Sequence, residues 1–483
     1  MASIKTLAKD TAIYGLSSIV GRFLNYLLVP LYTHVISAAS GGYGVVTNLY
    51  AYTALILVIL TFGMETTFFR FANSKEENPH TVFSTSLAMV ATLSLVFLAA
   101  VFVGIGSISG ALGYADHPDY ILMMASVVTL DALQAIPFCL LRFQNKSVKF
   151  AALKLLFIVM NIGLNLIYFL VLGHTEVFYV FSLNLVCTFL ITFFFIPELM
   201  HVHYSVDMKL LRRMFSYSWP ILILGIAGIL NQAADKMIFP LVYPDKAQGI
   251  SELAVYGACV KVAMIMAMIT QAFRYAYEPF VFAQNRERGQ THLYAMGMKY
   301  FLIFTLLAFL CVMAWLPALR YMVGADYWQG LRVVPIVMAA EIMMGVYFNL
   351  SFWYKLIDKT IYGAVFSIAG CAVLLGVNFW GIPHLSYMAC AWGGFAGYGT
   401  AMVLSYVVGQ RVNPIPYPLR SMAVYVLLAG VLFLLMKCVP NCWPVMAQLA
   451  AGTLLVGVYA AYTVWRDLPL SGLPVIGRYF RRH

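Results

Sequence analysis

The sequence predicts an all-α polytopic membrane protein: about 14 transmembrane helices, two six-helix bundles related by a parallel repeat, a terminal helix pair, and a central cavity. Three observations predict it. Of 483 residues, 62% are hydrophobic and only 10% charged, with a mean hydropathy of +0.85, whereas a soluble domain carries about 25% charge. The apolar runs are too long, and too often broken by Gly and Pro, for barrel strands of about 10 alternating residues; they match helices of about 20 residues. Uncommon residue types also recur at a fixed spacing along the chain.

In order, the expected spans are 12–34, 43–66, 82–106, 119–141, 151–173, 176–197, 216–241, 253–276, 297–318, 331–353, 360–381, 384–409, 421–438 and 444–465. The longest gap is 198–215, with a tail of similar size after Trp465, so no soluble domain fits between spans. No small-residue cleavage site follows a short apolar region at the start, and the first helix is expected to be its own insertion signal. With the N-terminus inside, the inner segments hold 22 Lys and Arg, Lys149 and Lys154 among them, and the outer segments hold 4. That asymmetry predicts both termini in the cytoplasm. The net charge of +11 is thus a matter of topology and does not imply nucleic acid.

The repeat is visible from the first span onward. Gly15, Ser18, Arg22, Asn25 and Pro30 align with Gly225, Gly228, Gln232, Asp235 and Pro240 at an offset of 210. The offset then becomes 213: Tyr43-Gly44 meets Tyr256-Gly257, Glu65 meets Glu278, Arg142 and Lys146 meet Lys355 and Lys359, and Gly163 and Asn165 meet Gly376 and Asn378. The expected domains are therefore bundles 1–200 and 207–410, with the helix pair and tail at 411–483. Six spans is an even number, so both bundles enter from the same side, as in parallel repeats whose substrate sites lie near the midplane.

Each bundle opens on a helix with a small and polar stripe, since spacings of 3, 4 and 3 fall on one face. Pro30 and Pro240 end the stripes, where each removes a backbone hydrogen bond; the expectation is a bend at both, the alternative a proline merely at a helix end. Candidate substrate contacts are Arg22, Asn25, Gln232, Asp235, Lys236, Lys261 and Arg274. Candidate coupling or gate residues are Glu65, Asp131, Glu278 and Glu341. A structural alternative stands beside each: Arg22 paired with Asp131 or Asp235, Asp235 and Lys236 as a local neutral pair, Arg274 reaching the head groups, Glu65 and Glu278 at helix ends. A charge inside the bilayer is costly and faces protein or water, not lipid. A balanced-to-positive cavity suits an anion, and Arg is the best bidentate partner for phosphate.

Eight cysteines include no C-x-x-C pair, which gives no support to a metal or redox site; no metal and no cofactor are expected. No G-x-x-x-x-G-K-[ST] motif occurs, so uphill work would come from an ion gradient, H+ or Na+ being left open, from membrane potential or from product removal. An enzyme such as a polytopic glycosyltransferase needs an acidic residue on a sizeable outer loop, and the outer acids Asp116, Asp119, Glu176, Asp245, Glu252 and Asp326 lie in or beside very short ones. A non-transporting scaffold would not need buried charges.

The segment LAKDTAIYGLSSIVGRFLNYLLVPLYTHVIS followed by GGYGVVTNLYAY, with the six, six and two arrangement, resembles the polysaccharide-transporter branch of the multidrug/oligosaccharidyl-lipid/polysaccharide exporter superfamily, the Wzx-type flippases. The topology is similar over essentially the whole chain, the motif over about the first 70 residues. The resemblance implies a flippase, not an enzyme, that moves an undecaprenyl-diphosphate-linked oligosaccharide, such as an O-antigen or capsule unit, to the outer leaflet by alternating access. It implies the bacterial inner membrane, membrane lipids around the protein, glycan polymerase and other export machinery as partners, and Arg22 near the diphosphate. Two alternatives belong to the same superfamily. A MurJ-type lipid II flippase also uses arginines in its first helices, but span 43–66 has no internal Lys or Arg. Drug/cation antiporters usually lack the last helix pair.

Overall fold

The computed structural model describes residues 26–200, 205–284, 291–355, 357, 359–440 and 442–467. In chain order the helices are α1 (Leu28–Val35), α2 (Gly42–Thr61), α3 (Met64–Ala72), α4 (Pro79–Val103), α5 (Ile105–Leu112), α6 (Pro118–Phe143), α7 (Ser147–Leu166), α8 (Val177–Phe193) and α9 (Ile196–Met200). They continue with α10 (Met208–Val242), α11 (Lys246–Gln284), α12 (Thr291–Leu319), α13 (Val334–Leu350), α14 (Phe352–Lys355), α15 (Ile361–Leu385), α16 (Tyr387–Val412), α17 (Leu419–Lys437) and α18 (Val445–Arg466). Among the described residues 11 helical stretches are long and apolar enough to cross a membrane, and α8 is a shorter apolar helix. This is a multi-pass, all-α membrane protein. The first expected span falls mostly outside the described residues; each later one falls on a helix.

Local chemistry starts and stops these helices where turns are needed. Asn78 accepts the His80 N–H ahead of α4, with Pro79 in the first turn, and Asp207 accepts the Lys209 and Leu210 N–H groups ahead of α10; both satisfy donors that a helix start leaves free. Gly41, in a left-handed conformation, precedes α2. The second expected span is broken: Phe62 and Gly63 both take left-handed angles (φ 51° and 68°), separating α2 from α3. At the repeat-equivalent residues 275 and 276, α11 runs on unbroken. Phe62 is held there by stacking on Phe215 of α10, with centroids 4.9 Å apart.

The prolines behave differently in the two stripes. Near Pro30 the helix is interrupted at Leu27. Helix α10 continues past Pro240 for two residues, so Pro240 sits in its last turn. Proline has no N–H, so the Lys236 carbonyl loses its in-helix donor. Asn48 Nδ2 of α2 supplies the bond instead, at 2.7 Å.

By contact density the chain divides into two compact units, Met1–Ala258 with Leu374–Gly393, and Cys259–Val373 with Gly394–His483. The division at 1–200, 207–410 and 411–483 rests on the repeated sequence and not on contact. In the first unit, a core of Leu60, Met64, Phe68, Phe83, Val128, Ala132 and Ile136 joins α2, α3, α4 and α6. Helix α10 is bound to α2 along its length: Asn48 and Tyr52 bond the Lys236 and Met237 carbonyls, and Gly225 lies against Val58. The repeat shows in space within this unit. Ser251 donates to the Ala38 carbonyl at 2.9 Å, 213 residues away and so its own counterpart, as residues on a two-fold axis do. The paired glycines lie at the same crossing, Gly44 against Ile250 of α11 and Gly257 against Thr47 of α2.

The second unit contains α12, α13, α14, α17 and α18. Gly452 of α18 packs on Ala314 of α12. Asp467, just beyond α18, bonds Lys299 and Tyr425, which anchors the terminal pair at one end.

Candidate functional site

In the first unit the polar centre is built on α10, the opening helix of the second repeat. Asp235 is buried, 7% exposed. Its carboxylate accepts from Tyr256 Oη at 2.7 Å and from Lys236 Nζ at 3.0 and 3.2 Å. Lys236 Nζ also donates to the Gln232 carbonyl at 3.0 Å. The Gln232 side chain is exposed, and Gly228, one turn earlier, has nothing within 4 Å of an added Cβ. The stripe therefore has an open part at Gly228 and Gln232 and a closed part at Asp235. Below the pair, Asn48 links the Lys236 carbonyl to Tyr114 Oη, whose bond to Asn48 Oδ1 is 2.8 Å. Geometrically, Asp235 and Lys236 form a neutral pair with Tyr256 as third member, and Lys236 is the member nearer the surface.

A second group of charges lies within the first bundle. Glu65 is in the first turn of α3, directly after the Phe62–Gly63 break, where the helix end favours a carboxylate. Glu65 and Asp131 both feel the charge of Lys154, and Glu65 also that of Arg142. Lys154 stands over the Phe138 ring at 3.9 Å. The two carboxylates considered as structural partners for Arg22 thus each face a lysine.

Lys154 is a residue whose placement sequence reasoning missed. Counted with the inner segments although the expected span 151–173 contains it, it lies inside α7, in its second turn. Asn48, Tyr114 and Tyr256 were also missed. Uncharged polar residues in an apolar helix are too common to stand out by type; the pairing of Asn48 with the carbonyl that Pro240 leaves free in another helix exists only in space.

Arg22 and Asn25 lie outside the described residues. Glu278 lies on α11, but its side chain does too. In the second unit, Lys261 and Arg274 are on α11 and Glu341 is on α13, all partly exposed. Arg274 places its guanidinium over the Phe348 ring, 4.9 Å from the centroid. The structure pairs Asp235 with Lys236, and Glu65 and Asp131 lie within electrostatic range of Lys154. Among the described residues no group of three or more His, Cys, Asp or Glu could hold a metal ion. All eight cysteines are free.

Two carboxylate–lysine groups and a separate arginine, spread over helices that cross a bilayer, can bind and neutralise charge. They do not assemble a nucleophile with a base. Comparison with known proteins agrees with that chemistry. The family described as "Polysaccharide biosynthesis protein" matches residues 7–277. No curated protein matches the chain. Among solved structures, the lipid II flippase MurJ in an inward closed conformation is similar with a TM-score of 0.75 at 14% identity, covering 94% of this chain and 98% of that one. An inward-facing multidrug resistance MATE family transporter of the MOP superfamily gives 0.65 at 13% identity, covering 83% and 94%. A MOP superfamily transporter from Pyrococcus furiosus, whose binding pocket is described as having reversed polarity, gives 0.56 at 13%, covering 83% and 95%. The chain belongs to the polysaccharide biosynthesis protein family, and its fold is the one seen in these transporters.

Proposed function

Because the chain belongs to the polysaccharide biosynthesis protein family, we propose that it is a flippase that carries an undecaprenyl-diphosphate-linked oligosaccharide from the cytoplasmic to the outer leaflet by alternating access. The observation that carries the reading is this family membership on a fold shared with a lipid II flippase. The substrate has a large polar head with a diphosphate and an apolar tail. Polar stripes inside apolar helices suit the head, the distribution of Lys and Arg supports both termini in the cytoplasm, and an inner-membrane location is part of the same reading. Arg22, Asn25, Gln232, Lys236, Lys261 and Arg274 are the proposed head-group contacts, with Asp235 holding Lys236. Glu65, Asp131, Glu278 and Glu341 are proposed for coupling or gating.

The test is glycan export in cells that depend on this gene product. Arg22→Ala is expected to abolish export with the protein level unchanged, and Arg22→Lys to keep part of it, since charge survives and the bidentate fork does not. Normal export by Arg22→Ala would remove the substrate role of Arg22. Reporter fusions at Lys149, Arg213 and the C-terminus should read cytoplasm, and at His117, Asp245 and Asp326 the outside. A lipid II flippase is the second reading, favoured by similarity to MurJ across 94% of this chain; rescue of a strain depleted of lipid II flipping would select it.

A further inference from the structure

Helices α11 and α13 of the second unit meet at a layer with polar atoms that nothing satisfies. Thr270 and Arg274 are one turn apart on α11, and Gly345 and Asn349 one turn apart on α13. The Thr270 side chain lies against Gly345: a Cβ there would be 3.0 Å from Thr270 Cγ2. One turn on, Arg274 lies over Phe348, beside Asn349 in sequence. Thr270 and Asn349 are 5% and 7% exposed. Thr270 Oγ1, Arg274 Nε and Asn349 Oδ1 are all buried without a hydrogen-bond partner. Asn349 Nδ2 is fixed by the Gly345 carbonyl at 3.0 Å, which leaves the oxygen as the free end.

The repeat shows that the fold does not need these groups. At the offset of 213, Thr270, Arg274, Gly345, Phe348 and Asn349 correspond to Leu57, Thr61, Ala132, Ala135 and Ile136. Leu57, Ala132 and Ile136 belong to the apolar core of the first unit. The same helix crossing therefore holds one polar side chain in one half, Thr61, whose hydroxyl is met by the Leu57 carbonyl, and three in the other. Buried polar atoms without partners are unfavourable, and an arginine within a membrane span needs an anion, water or a dipole.

The three atoms specify a ligand. Arg274 Nε donates only, Asn349 Oδ1 accepts only, and the Thr270 hydroxyl does either. A bare phosphate satisfies the arginine and threonine but offers no proton to the amide oxygen; a sugar hydroxyl does. We propose that Arg274, Thr270 and Asn349 form a subsite for the junction of phosphate and first sugar in a glycosyl diphosphate. Arg274 and Thr270 take a phosphate oxygen, and Asn349 accepts from a hydroxyl of the first sugar. Phe348 fixes the plane of the guanidinium. With the proposed orientation the layer lies in the cytoplasmic half of α11, where the head group would load. The subsite rests on the flippase reading above and names the part of the substrate that it grips.

The experiment measures thermal unfolding of the purified full-length protein in detergent, titrated with farnesyl-diphospho-N-acetylglucosamine, with farnesyl diphosphate, and with the methyl glycoside of N-acetylglucosamine. The variants are Thr270→Val, Asn349→Leu, Arg274→Ala and Arg274→Lys. Without ligand, Thr270→Val and Asn349→Leu should unfold at the parent temperature or above it, because each removes a buried orphan atom. With ligand, Arg274→Ala should weaken binding of both diphosphates about tenfold or more, Arg274→Lys less, as expected for charged hydrogen bonds. Asn349→Leu should lose only the added stabilisation that the sugar gives over farnesyl diphosphate. If the parent binds the glycosyl diphosphate and all variants bind it equally, the atoms hold only water; the subsite is wrong and the substrate reading stands. If the parent binds neither diphosphate, the substrate reading falls and the subsite with it.

Discussion

The bond between Asn48 and the Lys236 carbonyl gives a test of how the first unit is held together. Asn48 is 2% exposed. It gives Nδ2 to Lys236 O at 2.7 Å and takes Tyr114 Oη at 2.8 Å. Asn48→Ala removes both bonds, together with a long contact to the Met237 carbonyl at 3.4 Å that Tyr52 also serves, and leaves a carbonyl that residue 240, a proline, cannot satisfy. In water-soluble cores such orphans cost about 1–3 kcal/mol each. In membranes double-mutant cycles average about 0.6 and reach about 1.7 kcal/mol, because the unfolded chain also finds partners. Two bonds therefore give a loss of about 1–3 kcal/mol. The informative step is Pro240→Ala, which restores an N–H to the helix and a donor to the Lys236 carbonyl. Asn48→Ala should then cost about 0.6–1.7 kcal/mol less than in the parent, and the cavity left by the shortened side chain cancels in the cycle. The assay is unfolding in mixed micelles titrated with SDS, for parent, two single variants and the double variant. An equal cost of Asn48→Ala in both backgrounds would refute the link between the proline and the asparagine.

Other variants check separate parts of the structure. Gly63→Ala should lower stability by about 1–2 kcal/mol, since φ is 68° and the new Cβ meets Ile221 at 3.0 Å; SDS-induced unfolding measures it. Gly44→Ala should be strongly destabilising because its Cβ would overlap the Ile250 carbonyl, whereas Gly163→Ala, with nothing within 4 Å, should be neutral or stabilising by up to about 1 kcal/mol. Equal effects in that pair would mean that α2 and α11 do not touch at Gly44. Partial burial would raise the Asp467 carboxyl, but hydrogen bonds from Lys299 and Tyr425 outweigh it and hold it below its ordinary value. A depressed carboxylate adds stability above its unfolded pKa and loses it as pH falls through the folded value. Docking of the terminal pair should thus be constant near neutrality and weaken only below about pH 4; protease access to the α17–α18 hairpin against pH, with Asp467→Asn as control, reads it.

Much of the fold was legible in the sequence because membrane helices must satisfy their backbone internally. Length and hydropathy alone then mark the spans, as at Pro79–Val103 and Leu419–Lys437, which fall close to the expected 82–106 and 421–438. The repeat was legible because Gly, Asn and Pro at a constant offset need no structure to be counted. The Asp235–Lys236 pair was within reach, since neighbours in sequence can meet without tertiary help. Only tertiary structure decided the rest. Asn165 and Asn378 are equivalent in sequence, yet Asn165 bonds Tyr32 and Asn161, while neither side-chain end of Asn378 has a partner; the counterparts of Tyr32 and Asn161 are Val242 and Leu374. The break at Phe62–Gly63 is held by Phe215 from another helix, and the seat of Lys154 over the Phe138 ring is supplied by α6. A sequence fixes what a residue can donate or accept, and distant helices decide whether anything answers it.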